Sequence, residues 1–203
     1  MKYPDNIREV AALQPDYMGF IFYKESPRYC GEELLTTYDL SLTRINKVGV
    51  FVNEPVSSVV RLATRFDLDL IQLHGDESPE YCEDLKLLDF KLIKAFGIDL
   101  AFDFSVLAEY EETCDYFMFD TRSDAYGGSG QKFSWSLLKK YQGSKPIFLS
   151  GGLDKRSIPL VHDLINGLNI HALDFNSKLE MEPGRKEMEK CREVIEMVHL
   201  LSF

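Results

Sequence analysis

The sequence predicts one α/β domain over residues 1–203, a parallel (β/α)8 barrel built of consecutive βα units and apparently lacking its first β-strand. Three observations predict it. Short apolar runs recur at a nearly even interval. Amphipathic stretches with helix start signals lie between them. A chain of 203 residues also divides into eight units of roughly 25 residues, the barrel count, although typical barrels run to about 250.

The first element is a helix, from Pro4-Asp5-Asn6-Ile7 through Leu13, with Pro4 near its start. The strand candidates follow in order: Tyr17–Phe22 (YMGFIF), Val48–Val52 (VGVFV), Leu70–Leu73 (LIQL), Leu92–Phe96 (LIKAF), Tyr116–Phe119 (YFMF), Ile147–Leu149 (IFL) and Ala172–Phe175 (ALDF). Most lack strict alternation, as strands do when helices cover a parallel sheet and both faces are apolar. Between them, Pro55 opens a helix over VSSVVRLATRF. Ser78 caps EYCEDLKLL with Pro79 at the first helical position. Asp154 caps KRSIPLVHDLIN, where Pro159 is tolerated only in the first turn. A last helix spans Lys186–Leu201. The count is seven strands and about eight helices, and a barrel that begins on a helix has lost a strand. A doubly wound open sheet is the competitor, but no G-x-G-x-x-G follows the first strand.

Composition narrows the function. The 33 acids against 23 bases leave a net charge of -10, which argues against a nucleic-acid protein. The four cysteines form no C-x-x-C pair, so neither a zinc site nor a dense disulfide scaffold is expected. The N-terminal stretch has no apolar signal region, and no apolar run approaches the ~18 residues of a membrane span. A cytoplasmic protein with reduced thiols is the expectation.

Barrels of this kind carry chemistry at the C-terminal ends of their strands. That rule selects Arg28, Asn53, His74, Asp120, the Gly127-Gly128-Ser129-Gly130 loop, Gly151-Gly152 and Asp174 to Ser177. Glycines let backbone N–H groups approach an anion, and Ser150-Gly151-Gly152 with Asn176-Ser177 follow the last two strands, where barrels often hold phosphate. Asp120, partly buried at a strand end, suits a general acid, or else an N-cap or a salt bridge to Arg122. His74 reads as a substrate-orienting group or a structural hydrogen-bonder. Arg28 reads as a carboxylate grip or a solvated surface arginine. Asp174 could simply pair with Lys178.

Four segments together resemble phosphoribosylanthranilate isomerase of tryptophan biosynthesis: VGVFVNEP (48–55), LIQLHGDESPEYC (70–82), FDTRSDAYGGSGQKFSW (119–135) and FLSGGL (148–153); GFIFYKESPRY (19–29) also fits. The similarity runs in order over the whole chain. It implies a TIM barrel that needs no cofactor and no metal, acts on a small phosphosugar and is a monomer or homodimer. It implies an Amadori rearrangement of N-(5'-phosphoribosyl)anthranilate to 1-(2-carboxyphenylamino)-1-deoxyribulose 5-phosphate. Asp120 matches the general acid and Arg28 the arginine near the anthranilate carboxylate. Gly151, Gly152 and Ser177 match the phosphate loops, with Gly128, Gly130 and Asp174 among the substrate-binding positions and His74 near the site.

The family's general base is a cysteine on the first strand, and the chain begins with residues that resemble those just after it. The expectations are therefore an internal methionine at position 1, weak or absent turnover, and, as the alternative, a catalytically dead phosphosugar-binding barrel. None of the four cysteines replaces that base by position, Cys30 being the nearest candidate. Lys178 stands where many members have glycine. A third reading, an epimerase or an indole-glycerol-phosphate synthase, has only Lys94 in its favour.

Overall fold

The apolar runs pair in chain order. β1 (Tyr17–Ile21), β2 (Asn46–Phe51), β3 (Leu70–Leu73), β4 (Leu92–Ile98), β5 (Tyr116–Thr121), β6 (Ile147–Leu149) and β7 (Ile170–Leu173) form one seven-stranded sheet, each strand beside the next. Every ladder in it is parallel. This is a computed structural model, and it describes residues 1–33, 44–121, 135–165 and 167–201. The last strand is displaced from the expected Ala172–Phe175, so Phe175 falls in the following loop.

Five α-helices are present among the described residues: α1 (Pro4–Ala11), α2 (Val56–Phe66), α3 (Pro79–Lys86), α4 (Ile158–Ile165) and α5 (Met188–His199). α3 starts as its sequence dictates, with Ser78 Oγ accepting from Tyr81 N at 3.3 Å and Pro79 inside the first turn. Where the alternating order calls for helices between β4 and β5 and between β5 and β6, Phe104–Tyr110 and Trp135–Lys140 are 3-10 helices, and a third, Ser177–Leu179, lies in the loop after β7. Such short pieces favour the tighter winding over the costly α-helical nucleus.

Two expected helices begin later than predicted. Asp154 closes a separate turn, its Oδ1 accepting from Arg156 N at 2.9 Å and its carbonyl from Ser157 N at 2.8 Å. α4 therefore starts at Ile158, which puts Pro159 in the first turn, where a missing N–H breaks no helical bond. The stretch from Lys186 does not begin a helix. An antiparallel hairpin comes first, β8 (Glu180–Glu182) and β9 (Arg185–Lys186), turning through Gly184 at φ 86°. A Cβ at Gly184 would lie 2.7 Å from Lys2 Cβ. Glu187 then caps α5 by accepting from Glu189 N and Lys190 N at 2.9 and 3.1 Å.

Side chains of successive strand residues point to opposite faces, and this period sorts the sheet into two layers. Ile71, Leu73, Leu92, Phe117 and Phe119 join the large cluster under the helices. There Phe22 stacks between Phe51 and Phe66 with centroids 5.1 Å away on each side. Full burial of each such side chain stabilises the fold by roughly 1.5–3 kcal/mol. Val48, Leu70, Ile93, Ala95, Met118 and Phe148 form the second cluster, inside the lumen. The N-terminal end of the lumen is aromatic: Tyr116 lies 4.7 Å from the His171 ring, and Tyr17 lies 5.1 Å from Phe148. Among the described residues no helix is long and apolar enough to cross a membrane.

Candidate active site

The two-residue period carries through to the C-terminal rim. On β5, Tyr116 and Met118 face the lumen, and the next residue of that face is Asp120. On β3, Leu70 and Gln72 precede His74 in the same way. Ser150 follows Phe148 after β6, and Asp174 follows Ala172 after β7. His74, Asp120, Ser150 and Asp174 line a cavity of about 2020 Å³ that runs through the lumen. That is larger than an ordinary ligand pocket, and the polar groups gather at one end of it.

The polar groups meet there in two pairs. His74 Nε2 lies 3.4 Å from Asp120 Oδ2, with both side chains about a third exposed, at 35% and 33%. Gln72 Nε2 donates to His74 Nδ1 at 2.8 Å, so the proton of the neutral ring sits on Nε2 and faces Asp120. The second pair is Ser150 Oγ donating to Asp174 Oδ2 at 2.9 Å. Burial raises the Asp174 pKa above the usual carboxylate value, and the nearby Asp120 charge adds to the rise. Asp174 pairs with Ser150 here, not with Lys178 as the sequence allowed.

Beside these pairs lies a glycine turn. Gly151 and Gly152 have φ of 101° and 67°, a backbone that L side chains rarely adopt. The Lys178 Cε passes 3.9 Å from where a Cβ at Gly152 would stand, which brings a cation over the turn. Ser177 lines the same end of the cavity.

Arg28 is not a solvated surface residue. Its Nε and Nη2 donate to both oxygens of Glu180 at 2.7 to 3.0 Å, and its side chain is 25% exposed. Gly128, Gly130, the rest of the 127–130 loop and Arg122 lie outside the described residues.

Cys30, Cys82 and Cys191 make poor bases at neutral pH. All are buried. Burial pushes Cys30 up to about 11 and raises Cys191. Cys82 and Cys114 lie in the cluster under the helices, away from the lumen, and their mutual interaction raises Cys82 and lowers Cys114.

Lys94 removes the case for the synthase. On β4 the lumen residues are Ile93 and Ala95, and Lys94 points to the helix side. There its Nζ is 3.2 Å from Glu77 Oε2 and donates to Gly75 O at 2.8 Å. Sequence reasoning passed over Gln72, Ser150 as a carboxyl partner, Glu180 and Lys186. The first two were legible as the residues that precede or follow chosen positions on the lumen face. The other two belong to the hairpin, which resembled the start of a helix.

A family model for N-(5'-phosphoribosyl)anthranilate isomerase matches residues 2–197. This chain belongs to the phosphoribosylanthranilate isomerase family. The N-(5'-phosphoribosyl)anthranilate isomerase of Parabacteroides distasonis is 43% identical over 201 residues, covering 98% of this chain and 90% of that one. That of Phocaeicola vulgatus is 39% identical over 191 residues, covering 92% of this chain and 89% of the relative. Among solved structures, the Thermus thermophilus isomerase superposes with a TM-score of 0.83 at 25% identity, covering 100% of this chain and 96% of that one. The Thermotoga maritima isomerase gives 0.82 at 28% identity, covering 99% and 96%. The fold is thus the family's α/β barrel. Another isomerase structure, with a TM-score of 0.79, 25% identity and 99% and 96% coverage, holds reduced 1-(o-carboxyphenylamino)-1-deoxyribulose 5-phosphate.

Proposed function

We propose that the chain carries out the family's reaction in tryptophan biosynthesis: N-(5'-phosphoribosyl)anthranilate becomes 1-(2-carboxyphenylamino)-1-deoxyribulose 5-phosphate, with no metal or cofactor. In this reading Asp120 protonates the furanose ring oxygen, and the C1–O bond breaks to give a Schiff base. The His74 Nε2–H then faces the carboxylate that Asp120 has become. Asp174 takes the proton from sugar carbon 2, since a carboxylate with a raised pKa is the stronger base. The enolamine that results becomes the ketone when carbon 1 regains a proton and the carbon-2 hydroxyl loses its own.

The Gly151-Gly152 turn, Ser177 and the Lys178 ammonium suit the phosphate, because backbone N–H groups and one cation can hold an anion on a protein of charge -10. Arg28 takes the anthranilate carboxylate with the Nη1 and Nη2 N–H groups that Glu180 leaves free. The relatives include an isomerase from Thermotoga maritima described as dimeric, and a homodimer of this chain is part of the same proposal.

What supports the reading is the His74–Asp120 contact of 3.4 Å on the same rim as two positive-φ glycines. Steady-state turnover of freshly made substrate tests it, beside calorimetric titration with the reduced product. Asp120→Asn is expected to lower kcat on the order of 10²–10⁴-fold while the reduced product still binds. Tight binding by the unaltered chain with no turnover at all would leave a phosphosugar-binding barrel in place of an enzyme.

A further inference from the structure

We propose that Glu180 and Lys186 are positioning residues that couple the two ends of the substrate site, the carboxylate end at Arg28 and the phosphate end at Ser177. The proposal rests on the assignment of those two ends given above.

The observations form one continuous chain of contacts. Arg28 follows β1, and its Nε and Nη2 hold the Glu180 carboxylate in a bidentate pair with a shortest contact of 2.7 Å. The Glu180 side chain is 4% exposed, and its Oε1 also accepts from Gly184 N at 3.0 Å and lies 3.2 Å from Lys186 Nζ. Lys186 is 8% exposed as a residue, and its Nζ donates to Asn176 O at 3.0 Å and to Asn176 Oδ1 at 2.6 Å. Asn176 directly precedes Ser177, and its backbone (φ -128°, ψ -96°) begins the 177–179 turn. One carboxylate and one ammonium, both nearly out of water, thus join the loop after β1 to the loop after β7.

These two strands are the outer members of the seven-stranded sheet and share no ladder. The network of side chains joins their C-terminal loops. Buried ion pairs are geometrically demanding, because each charge must keep its partners or lose several kcal/mol of compensation. An Arg28 that moves toward the substrate carboxylate draws on Glu180, Glu180 draws on Lys186, and Lys186 carries Asn176. The substrate is anionic at both ends, so this arrangement makes the grip on one end depend on the other.

The test uses the full chain and two small competitors of turnover, anthranilate for the carboxylate end and inorganic phosphate for the phosphate end. Glu180→Gln keeps shape and removes charge, and it is expected to raise KM about tenfold, to lower kcat less, and to weaken both competitors. Arg28→Lys loses the fork and is expected to weaken phosphate as well as anthranilate. Lys186→Met is expected to weaken anthranilate as well as phosphate. Purely local roles would confine Arg28→Lys to anthranilate and Lys186→Met to phosphate, and that outcome overturns the proposal. So does a folded Glu180→Gln protein with both inhibition constants unchanged. If Glu180→Gln does not fold, the Arg28→Lys and Lys186→Met crossover decides alone. If the unaltered chain has no turnover, the isomerase reading fails; calorimetry with inorganic phosphate and with anthranilate then reads the crossover directly.

Discussion

Two buried lysine–glutamate pairs brace the rim of this barrel, and they differ in which side of the sheet they serve. Lys94–Glu77 lies behind the sheet, at 3% and 1% side-chain exposure. It ties the loops after β2 and β3: Glu77 Oε1 accepts from Asn53 N at 2.9 Å, and its Oε2 accepts from Gly75 N at 3.0 Å. Lys186–Glu180 lies at the mouth and lines the cavity. Glu77 has one cation against it among the described residues, whereas Glu180 has Arg28 and Lys186. The same residue types thus do different work. The rear pair holds the frame that carries His74, and the front pair reaches toward ligand.

The largest expected effect separates the two. Lys94→Met leaves Glu77 buried without its counter-charge and should destabilise by about 3–5 kcal/mol, read from the denaturant midpoint at constant slope. Lys186→Met leaves Glu180 with Arg28 and should cost about 1–3 kcal/mol. Equal losses would erase the distinction. Gly152→Ala, on the ligand side, forces a Cβ into φ 67° and should cost about 1–2 kcal/mol while weakening phosphate binding. Ser78→Ala, on the frame side next to Glu77, removes the α3 cap and should cost about 1 kcal/mol with KM unchanged. A shifted KM would mean that the frame is not passive.

The smallest effect is a pair of opposed pH dependences. Asp174 has a folded pKa above 3.8, so its contribution is fully present below 3.8 and lost as pH rises through the folded value. For Glu180, burial alone would raise the pKa, but the Arg28 hydrogen bonds, Lys186 and Gly184 N–H overcome it, and the net shift is below 4.5. Its contribution is present above 4.5 and lost as pH falls through the lowered value. Unfolding free energy against pH for Asp174→Asn and Glu180→Gln should diverge from that of the unaltered chain at opposite ends of the acid range. Parallel curves would show that the two carboxyls do not sit in different surroundings.

Much of the site was legible because strand periodicity is local. Asp120 and His74 end apolar runs, and counting by two from Met118 or Leu70 puts them on the lumen face. Gly151 and Gly152 were legible because a positive φ selects glycine. Lys94 misled, since a lysine at a strand end suggests catalysis until one knows which face it takes. The hairpin at Glu180–Lys186 was illegible because a short turn before a helix has no period of its own. Arg28 was legible as a candidate but not as a partner of Glu180, 152 residues away.

The sequence by itself determined the order of the seven parallel strands, the α3 cap and the lumen face of Asp120 and His74. These follow from hydrophobic period, capping and backbone preference over a few residues. Only the tertiary structure decided that Gln72 sets the His74 tautomer, that Ser150 rather than Lys178 holds Asp174, and that Arg28, Glu180, Lys186 and Asn176 form one network. Those choices rest on which charges find each other once water has been excluded. A buried charge takes whatever partner the fold brings within about 3 Å, at any distance along the chain.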